Sequence, residues 1–126
     1  MSDQVSTDGA GGLHEVPVKE VVADGSALVV RLGGELDLYN ADAVRRALFD
    51  AAQRTPERLV VDLEDVRFID STALGVLIEA RSKLQDRRSF LLAAPGLETR
   101  RALEVSGLDR HFNVQASVAD AVAADL

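Results

Sequence analysis

Short β-rich runs alternate with helical patterns along the chain, and this alternation constrains the fold more than any other sequence feature. Two β-rich runs flank Asp24-Gly25-Ser26 and predict a hairpin. Helical patterns and strand-like runs then alternate, with helices over 40–54, 71–84, 97–107 and 117–126 and strands over 58–63, 89–94 and 111–115. The predicted order is ββαβαβαβα in an α/β domain. Strands separated by helices predict a mixed, mostly parallel sheet.

Polar residues inside the strand-like runs indicate how the helices are distributed. Arg31 and Asp62 interrupt runs that are otherwise apolar. A parallel sheet covered on both faces would bury these charges, which is costly. The sequence therefore predicts helices mainly on one face of the sheet. In the helix after Asp70, the predicted buried stripe is Leu74, Leu77, Ile78, Arg81 and Leu84.

Several end signals accompany the predicted helices. Asn40 is a good N-cap for the first helix, and Ser117 with Asp120 has the spacing of a capping box. Gly107 is placed to end the third helix in a left-handed turn. These signals predict where the helices begin and end.

Length, charge and composition exclude several classes of protein. The 126 residues fit one domain, and the net charge of −7 with few aromatics argues against a nucleic-acid surface. There is no cysteine, and the two histidines, His14 and His111, lack metal-ligand spacing. No apolar run reaches the roughly 20 residues of a membrane helix, and the N-terminus lacks signal-peptide features, so we expect a cytoplasmic location without membrane contact.

The polar, glycine-rich start of the chain separates from the rest by composition. Residues 1–12 contain too little apolar surface to order themselves, so we expect a flexible tail followed by one domain over 13–126.

Three kinds of chemical site are disfavoured by the sequence. "IDSTALG" around Ser71 is not a G-x-S-x-G nucleophile elbow, and neither histidine has an evident orienting carboxylate, so we expect no catalytic residue. "RLGGEL" is neither a P-loop nor G-x-G-x-x-G, which favours a strand-ending turn over a nucleotide site. Asp62, Glu64 and Asp65 match no calcium loop and are better explained as solvated strand ends. We therefore expect no metal and no cofactor.

Three successive residues with capping side chains, Asp70-Ser71-Thr72, stand where a strand meets a helix. A helix needs only one N-cap. A hydroxyl in the first turn would face solvent beside unpaired N–H groups, where a phosphate is also tolerated. The residues alone leave two interpretations open, simple capping and a phosphorylated serine.

Three segments carry a resemblance to a known family. "GELD" (34–37), "VVDLEDVRFIDSTALGVL" (60–77) and "SGLDRHFNV" (106–114) resemble the STAS domain, and more narrowly the bacterial anti-sigma factor antagonists. The resemblance covers about residues 14–124. It implies a single βα domain without enzymatic activity. It also implies binding to an anti-sigma factor that is a serine kinase, which frees a sigma factor.

The resemblance assigns roles to particular residues. The kinase would use ATP to phosphorylate Ser71 and so break the complex, and a phosphatase would reverse the switch. The partner-binding residues would be Gly34, Glu35, Asp37, Asp70, Thr72, Leu74 and Gly75. Ala73 departs from the family pattern, since many antagonists have glycine there, and alanine raises the helix propensity of the first turn.

The sequence leaves two other functions open. STAS domains also serve as scaffolds or accessory subunits of stress-signalling and lipid-transport complexes, which would require a stable assembly independent of phosphorylation. A small-molecule sensor would require an apolar pocket with convergent polar groups. The sequence locates no such pocket.

Overall fold

A five-stranded sheet organises residues 16–126, the part of the chain described by the computed structural model. The predicted tail over 1–12, residues 13–15 and His14 lie outside the described residues. The strands are β1 Val18–Asp24, β2 Ala27–Leu36, β3 Arg58–Ile69, β4 Phe90–Ala93 and β5 Asn113–Gln115. The helices are α1 Ala41–Gln53, α2 Ser71–Ser82, α3 Leu97–Ser106 and α4 Val118–Ala123, with short 3₁₀ helices at Arg87–Ser89 and Leu108–Arg110.

The strands lie side by side in their order along the chain. A two-residue turn, Gly25-Ser26, joins β1 to β2, and Gly25 has the positive φ of 61° that such a turn favours. β1 pairs antiparallel with β2, whereas β2, β3, β4 and β5 pair in parallel. The predicted element order and the mixed, mostly parallel sheet are confirmed.

The two faces of the sheet are covered very differently. Alternate β2 and β3 side chains such as Leu28, Val30 and Val61 face the main core, where α1, α2 and α3 pack. On the opposite face, Val29, Val60, Leu91 and Ala93 form a small cluster that α4 covers through Ala121. The prediction of helices mainly on one face is confirmed.

Arg31 and Asp62, which led to that prediction, lie in neighbouring strands on the thinly covered face. Arg31 donates to Glu20 at 2.6 Å and to Asp65 at 2.8 Å, and it lies 3.6 Å from Asp62. The hydrogen bond to Glu20 is the largest cause of the raised pKa of Arg31, and the hydrogen bond to Asp65 is the next largest. Arg31 and the nearby carboxylates therefore compensate one another's charge on the thinly covered face of the sheet.

β2 and β3 are both longer than their apolar runs indicate. Gly33 and Gly34 lie inside β2, so the predicted strand-ending turn is wrong, and Glu64 and Asp65 lie inside β3 and not at its end. The pairing register shifts after Arg31 and again after Gly34, which has a φ of 77°. Bulges of this kind bend a strand and change the direction of the chain beyond them. Both shifts lie shortly before the end of β2 at Leu36.

The buried face of α2 differs from the predicted stripe. The buried residues are Ala73, Leu74, Val76, Leu77 and Ala80. Ile78 is 39% exposed, Arg81 is partly exposed, and α2 ends at Ser82, before the buried Leu84. The small residues Ala73 and Ala80 are buried in the main core, so the buried face of α2 includes positions that the pattern of large side chains does not mark. Within residues 16–126, no helix is long and apolar enough to cross a bilayer.

Candidate functional site

Asp70 is the point where β3 gives way to α2. Its backbone is extended, with φ −98° and ψ 178°, and its Oδ1 accepts a hydrogen bond of 3.0 Å from the Ala73 N–H. Its carbonyl accepts from the Leu74 N–H, also at 3.0 Å. These are the two contacts of an N-cap. Of the three residues with capping side chains, Asp70 is the one that caps α2, and the phosphorylation of Ser71 stays a prediction.

The same carboxylate also holds a second segment of the chain. Asp70 Oδ2 accepts from the Leu38 N–H at 3.1 Å, and the Asp70 N–H donates to the Leu36 carbonyl at 3.0 Å. Leu38 belongs to the loop of residues 37–40, which joins β2 to α1. Asp70 therefore fixes the N-terminal end of α2 against this loop.

Asn40 stabilises that loop from within, in place of capping α1. Its Oδ1 accepts from the Asp37 N–H at 2.9 Å, and its Nδ2 donates to the Glu35 carbonyl at 2.8 Å. It stands at the N-cap position of α1 without a side-chain capping bond, so that part of the prediction is wrong. Asp37 Oδ1 accepts from the Tyr39 N–H at 2.9 Å and closes the turn. The loop's own side chains thus set its shape.

Ser71 is the first residue of α2 and is exposed. No residue in 16–126 forms a hydrogen bond with its hydroxyl. His111 contacts Arg81, ten residues further along α2, which is about 15 Å away at 1.5 Å per helical residue. The described part of the site therefore offers Ser71 no histidine base, and the hydroxyl is directed to solvent.

The residues that the resemblance assigns to partner binding occupy different depths. Glu35 is exposed, and Asp37, Asp70, Thr72 and Gly75 are partly exposed. Gly34 is buried inside β2, and Leu74 is only 7% exposed because its side chain packs into the core. The structure brings the 37–40 loop and the first turn of α2 together, and it places Leu74 beneath them as support.

Leu38 and Tyr39 are prominent at this site and were not singled out from the sequence. Their side chains are 66% and 91% exposed, directly beside Asp70. A signal existed, since "DLYN" places two large apolar side chains between a strand and a helix, outside either periodic pattern. Neither residue is needed by the core, so both are available to a partner.

Acidic groups dominate the charge around this site. Arg45 on α1 donates to Glu79 on α2 at 3.1 Å and also contacts Asp42. The hydrogen bond to Glu79 is the main cause of the raised pKa of Arg45. Glu35, Asp37 and Asp70 remain beside Ser71 without such a cation in the described contacts. Within residues 16–126, no group of three histidine or acidic side chains could hold a metal ion.

Comparisons with known proteins agree with the sequence resemblance. The model of the STAS domain family matches residues 18–121. The anti-sigma-F factor antagonist RsfB of Mycobacterium tuberculosis is 34% identical over 102 residues, covering 80% of this chain and 84% of that protein. The anti-sigma-B factor antagonist of Listeria monocytogenes is 35% identical over 95 residues, covering 74% and 81%.

A solved structure gives the same result for the fold. The crystal structure of an anti-sigma factor antagonist from Mycobacterium paratuberculosis matches with a TM-score of 0.78 and 32% identity, covering 83% of this chain and 90% of that one. The resemblance drawn from the three sequence segments is confirmed. The chain belongs to the STAS domain family, and within that family it groups with the anti-sigma factor antagonists.

Proposed function

We propose that this protein is an anti-sigma factor antagonist that works by partner switching in the cytoplasm. In its unphosphorylated form it binds an anti-sigma factor that is also a serine kinase, and so releases a sigma factor. Phosphorylation of Ser71 ends the complex, and a phosphatase restores the free hydroxyl. The protein performs no catalysis of its own.

The observation that carries this proposal is the free hydroxyl of Ser71 on a rigidly held helix end. The Asp70 carboxylate, one residue before Ser71, accepts from the Ala73 N–H in the same helix and from the Leu38 N–H in the loop of residues 37–40. A kinase needs its acceptor hydroxyl exposed and in a fixed orientation. In the transfer, Ser71 Oγ forms a bond to the γ-phosphorus of ATP, the bond to the ADP oxygen breaks, and the hydroxyl proton passes to the kinase's base.

The first turn of α2 suits a phosphate once it is attached. N–H groups at the start of a helix lack intrahelical partners, and the helix dipole favours negative charge there. The phosphate adds about −1.5 to −2 charges beside Glu35, Asp37 and Asp70. The fold accepts this charge in water. A partner that covers Ser71 would have to desolvate it, which supports release of the complex.

Leu38 and Tyr39 supply the apolar part of the docking surface, which we define as Glu35, Leu38, Tyr39, Ser71, Thr72 and Gly75. Large exposed side chains of this kind, aromatics above all, anchor many protein interfaces. They stand beside the hydroxyl because Asp70 ties Leu38 to α2. Binding and modification would therefore share one surface.

Gly75 supports a close approach of the partner to α2. It lies inside the helix, and a Cβ built on it would meet no atom within 4 Å. Glycine costs a helix interior about 0.5–1 kcal/mol relative to alanine, and nothing within the described chain requires it here. A partner backbone packed against this turn would give the missing reason.

The proposal is tested by phosphorylation with the cognate anti-sigma factor and ATP, followed by intact mass and phosphopeptide mapping. We expect the wild type to gain one phosphoryl group at Ser71. Ser82→Ala is the matched control, because it removes an exposed hydroxyl at the other end of α2, outside the docking surface, and it should be phosphorylated as the wild type is. Ser71→Ala should bind the anti-sigma factor, remain unmodified and fail to dissociate when ATP is added.

Two results would contradict the proposal. One is a phosphoryl group that maps to Thr72 or elsewhere while Ser71→Ala is modified as efficiently as the wild type. The other is a native complex that stays assembled by size exclusion whether or not Ser71 carries phosphate. The second result would favour the scaffold function.

A further inference from the structure

A surface concavity of about 240 Å³ lies at the opposite end of α2 from Ser71. Its polar lining is mostly cationic and comes from three separate segments. Arg81 lies in the last turn of α2, Arg87 and Arg88 in the 3₁₀ helix before β4, and Arg110 and His111 before β5. We call this the arginine pocket. Four guanidinium groups converge there in a chain whose net charge is −7.

Most of this positive charge is not neutralised by residues 16–126. Arg88 is bound by Asp86, with Nη2 3.1 Å from the carboxylate. No carboxylate within residues 16–126 forms an ion pair with Arg81, Arg87 or Arg110. Unpaired like charges that face one concavity repel one another, which raises the attraction of the pocket for an anion.

The hydrogen-bond partner of Arg81 in the pocket is His111 and not a carboxylate. Arg81 Nη1 lies 3.1 Å from His111 Nε2, and since the guanidinium is only a donor, the ring nitrogen is the acceptor. A cation in the last turn of a helix is favoured by the helix dipole, which accounts for Arg81 alone. Arg87 and Arg110 lie outside α2, each in a 3₁₀ helix of only three residues, and neither forms an ion pair within residues 16–126.

We infer that the arginine pocket binds a small phosphate-bearing molecule through Arg81, Arg87 and Arg110. Arginine presents planar, paired donors that match phosphate oxygens, and charge-assisted bonds of this kind are the strong ones. The pocket volume is below the about 300–1,000 Å³ of sites for drug-sized ligands. A phosphate group with a short organic part is the ligand that fits both the charge and the size.

The test uses ¹⁵N-labelled full-length protein titrated with inorganic phosphate and, separately, with glycerol 1-phosphate, at an ionic strength held constant with chloride. We expect saturable shifts in the NMR spectrum that are confined to residues around the pocket, including the His111 amide. Arg87→Gln and Arg110→Gln, singly and combined, should weaken binding, with a loss of at least tenfold in the combined variant. Arg101→Gln is the matched control, because Arg101 is exposed on α3, 3.7 Å from Glu98, and outside the pocket.

The two ligands separate free phosphate from an organic phosphate. Equal affinities would assign recognition to the phosphate group alone, and tighter binding of the ester would assign part of it to the organic group. Shifts that do not saturate, or a combined variant that binds as the wild type and Arg101→Gln do, would overturn the inference. It would also be overturned if an acidic peptide bound the pocket while both phosphates failed to bind.

Discussion

The N-terminal ends of α2 and α4 are capped by the same kind of contact, yet only one of them connects distant parts of the chain. Ser117 Oγ accepts from the Asp120 N–H at 3.0 Å, and Asp70 Oδ1 accepts from the Ala73 N–H at the same distance. Ser117 has a single side-chain oxygen. Asp70 has two, and its second oxygen accepts from Leu38 at 3.1 Å.

This difference separates a local cap from a tertiary one. The α4 cap stabilises a helix whose role is to cover the smaller core cluster. The α2 cap stabilises its helix and also fixes the loop that carries Leu38 and Tyr39. One extra oxygen therefore converts a helix end into part of a surface. Matched substitutions at the two helix ends measure how far they differ.

The largest expected difference is in the effect of a new negative charge on partner binding. Ser71→Asp should weaken binding of the cognate anti-sigma factor by about 2–3 kcal/mol, or roughly 30- to 150-fold, because the partner must cover an unpaired charge. Ala119→Asp places the same charge in the first turn of α4, on an exposed residue, and should leave affinity within about twofold of the wild type. Isothermal titration calorimetry measures both. Equal losses would mean that the partner senses net charge and not position.

Removing each cap should destabilise the protein to different extents. Asp70→Ala should lower the free energy of unfolding by about 1–2 kcal/mol, because it removes the cap and the acceptor for Leu38. Ser117→Ala should lower it by about 0.5–1 kcal/mol, because it removes a cap alone. Urea denaturation provides both values. If Ser117→Ala lowered the free energy of unfolding as much as Asp70→Ala or more, the contact between Asp70 and Leu38 would contribute nothing to stability.

Gly75 gives a smaller effect of opposite sign. It is the fifth residue after the cap, and its counterpart in α4, Val122, packs against the smaller core cluster. Gly75→Ala should raise the free energy of unfolding by about 0.5–1 kcal/mol while it weakens partner binding. Urea denaturation and calorimetry on the same preparation test this pair of changes. Unchanged affinity would remove Gly75 from the docking surface.

The smallest effect is expected when the cap is kept and only the contact to the loop is lost. Asp70→Ser retains a good N-cap, so stability should stay within about 0.5 kcal/mol of the wild type. Hydrogen exchange should become faster at the Leu38 amide and remain slow at the Ala73 amide. Exchange at Asp120, in the other cap, is the internal control. Unchanged exchange at Leu38 would mean that the loop holds its shape without Asp70.

The elements of the fold were largely predictable because their signals are local. The hairpin turn at Gly25, the left-handed end of α3 at Gly107 (φ 78°) and the capping residue Ser117 lie as predicted, and the cap of α2 is one of the three candidates, Asp70. Each depends on contacts within a few residues, which sequence spacing reports directly. The alternation of strands and helices then indicated a mostly parallel sheet. A helix between two strands returns the chain to the end of the sheet where the first strand began, so the next strand runs parallel to it.

What could not be predicted depends on contacts between distant residues. β3 continues past Asp62 because Arg31, in the neighbouring strand, pairs with Asp62 and Asp65, so charges that resemble a strand end are accommodated inside one. Asn40 forms bonds within the loop that compete with capping of α1. Tyr39 was missed for a related reason, since exposure next to Asp70 is a property of two segments and not of one.

The tie between Leu38 and Asp70 also decides when the docking surface can exist. The two residues are 32 positions apart, and they meet only after β2 and β3 have paired in parallel. Contacts of such sequence separation form late and cooperatively in folding. A nascent or unfolded chain carries the same serine without the same surface. A kinase that binds both the loop of residues 37–40 and the first turn of α2 would therefore act only on folded molecules. The folding of its substrate then becomes part of its specificity.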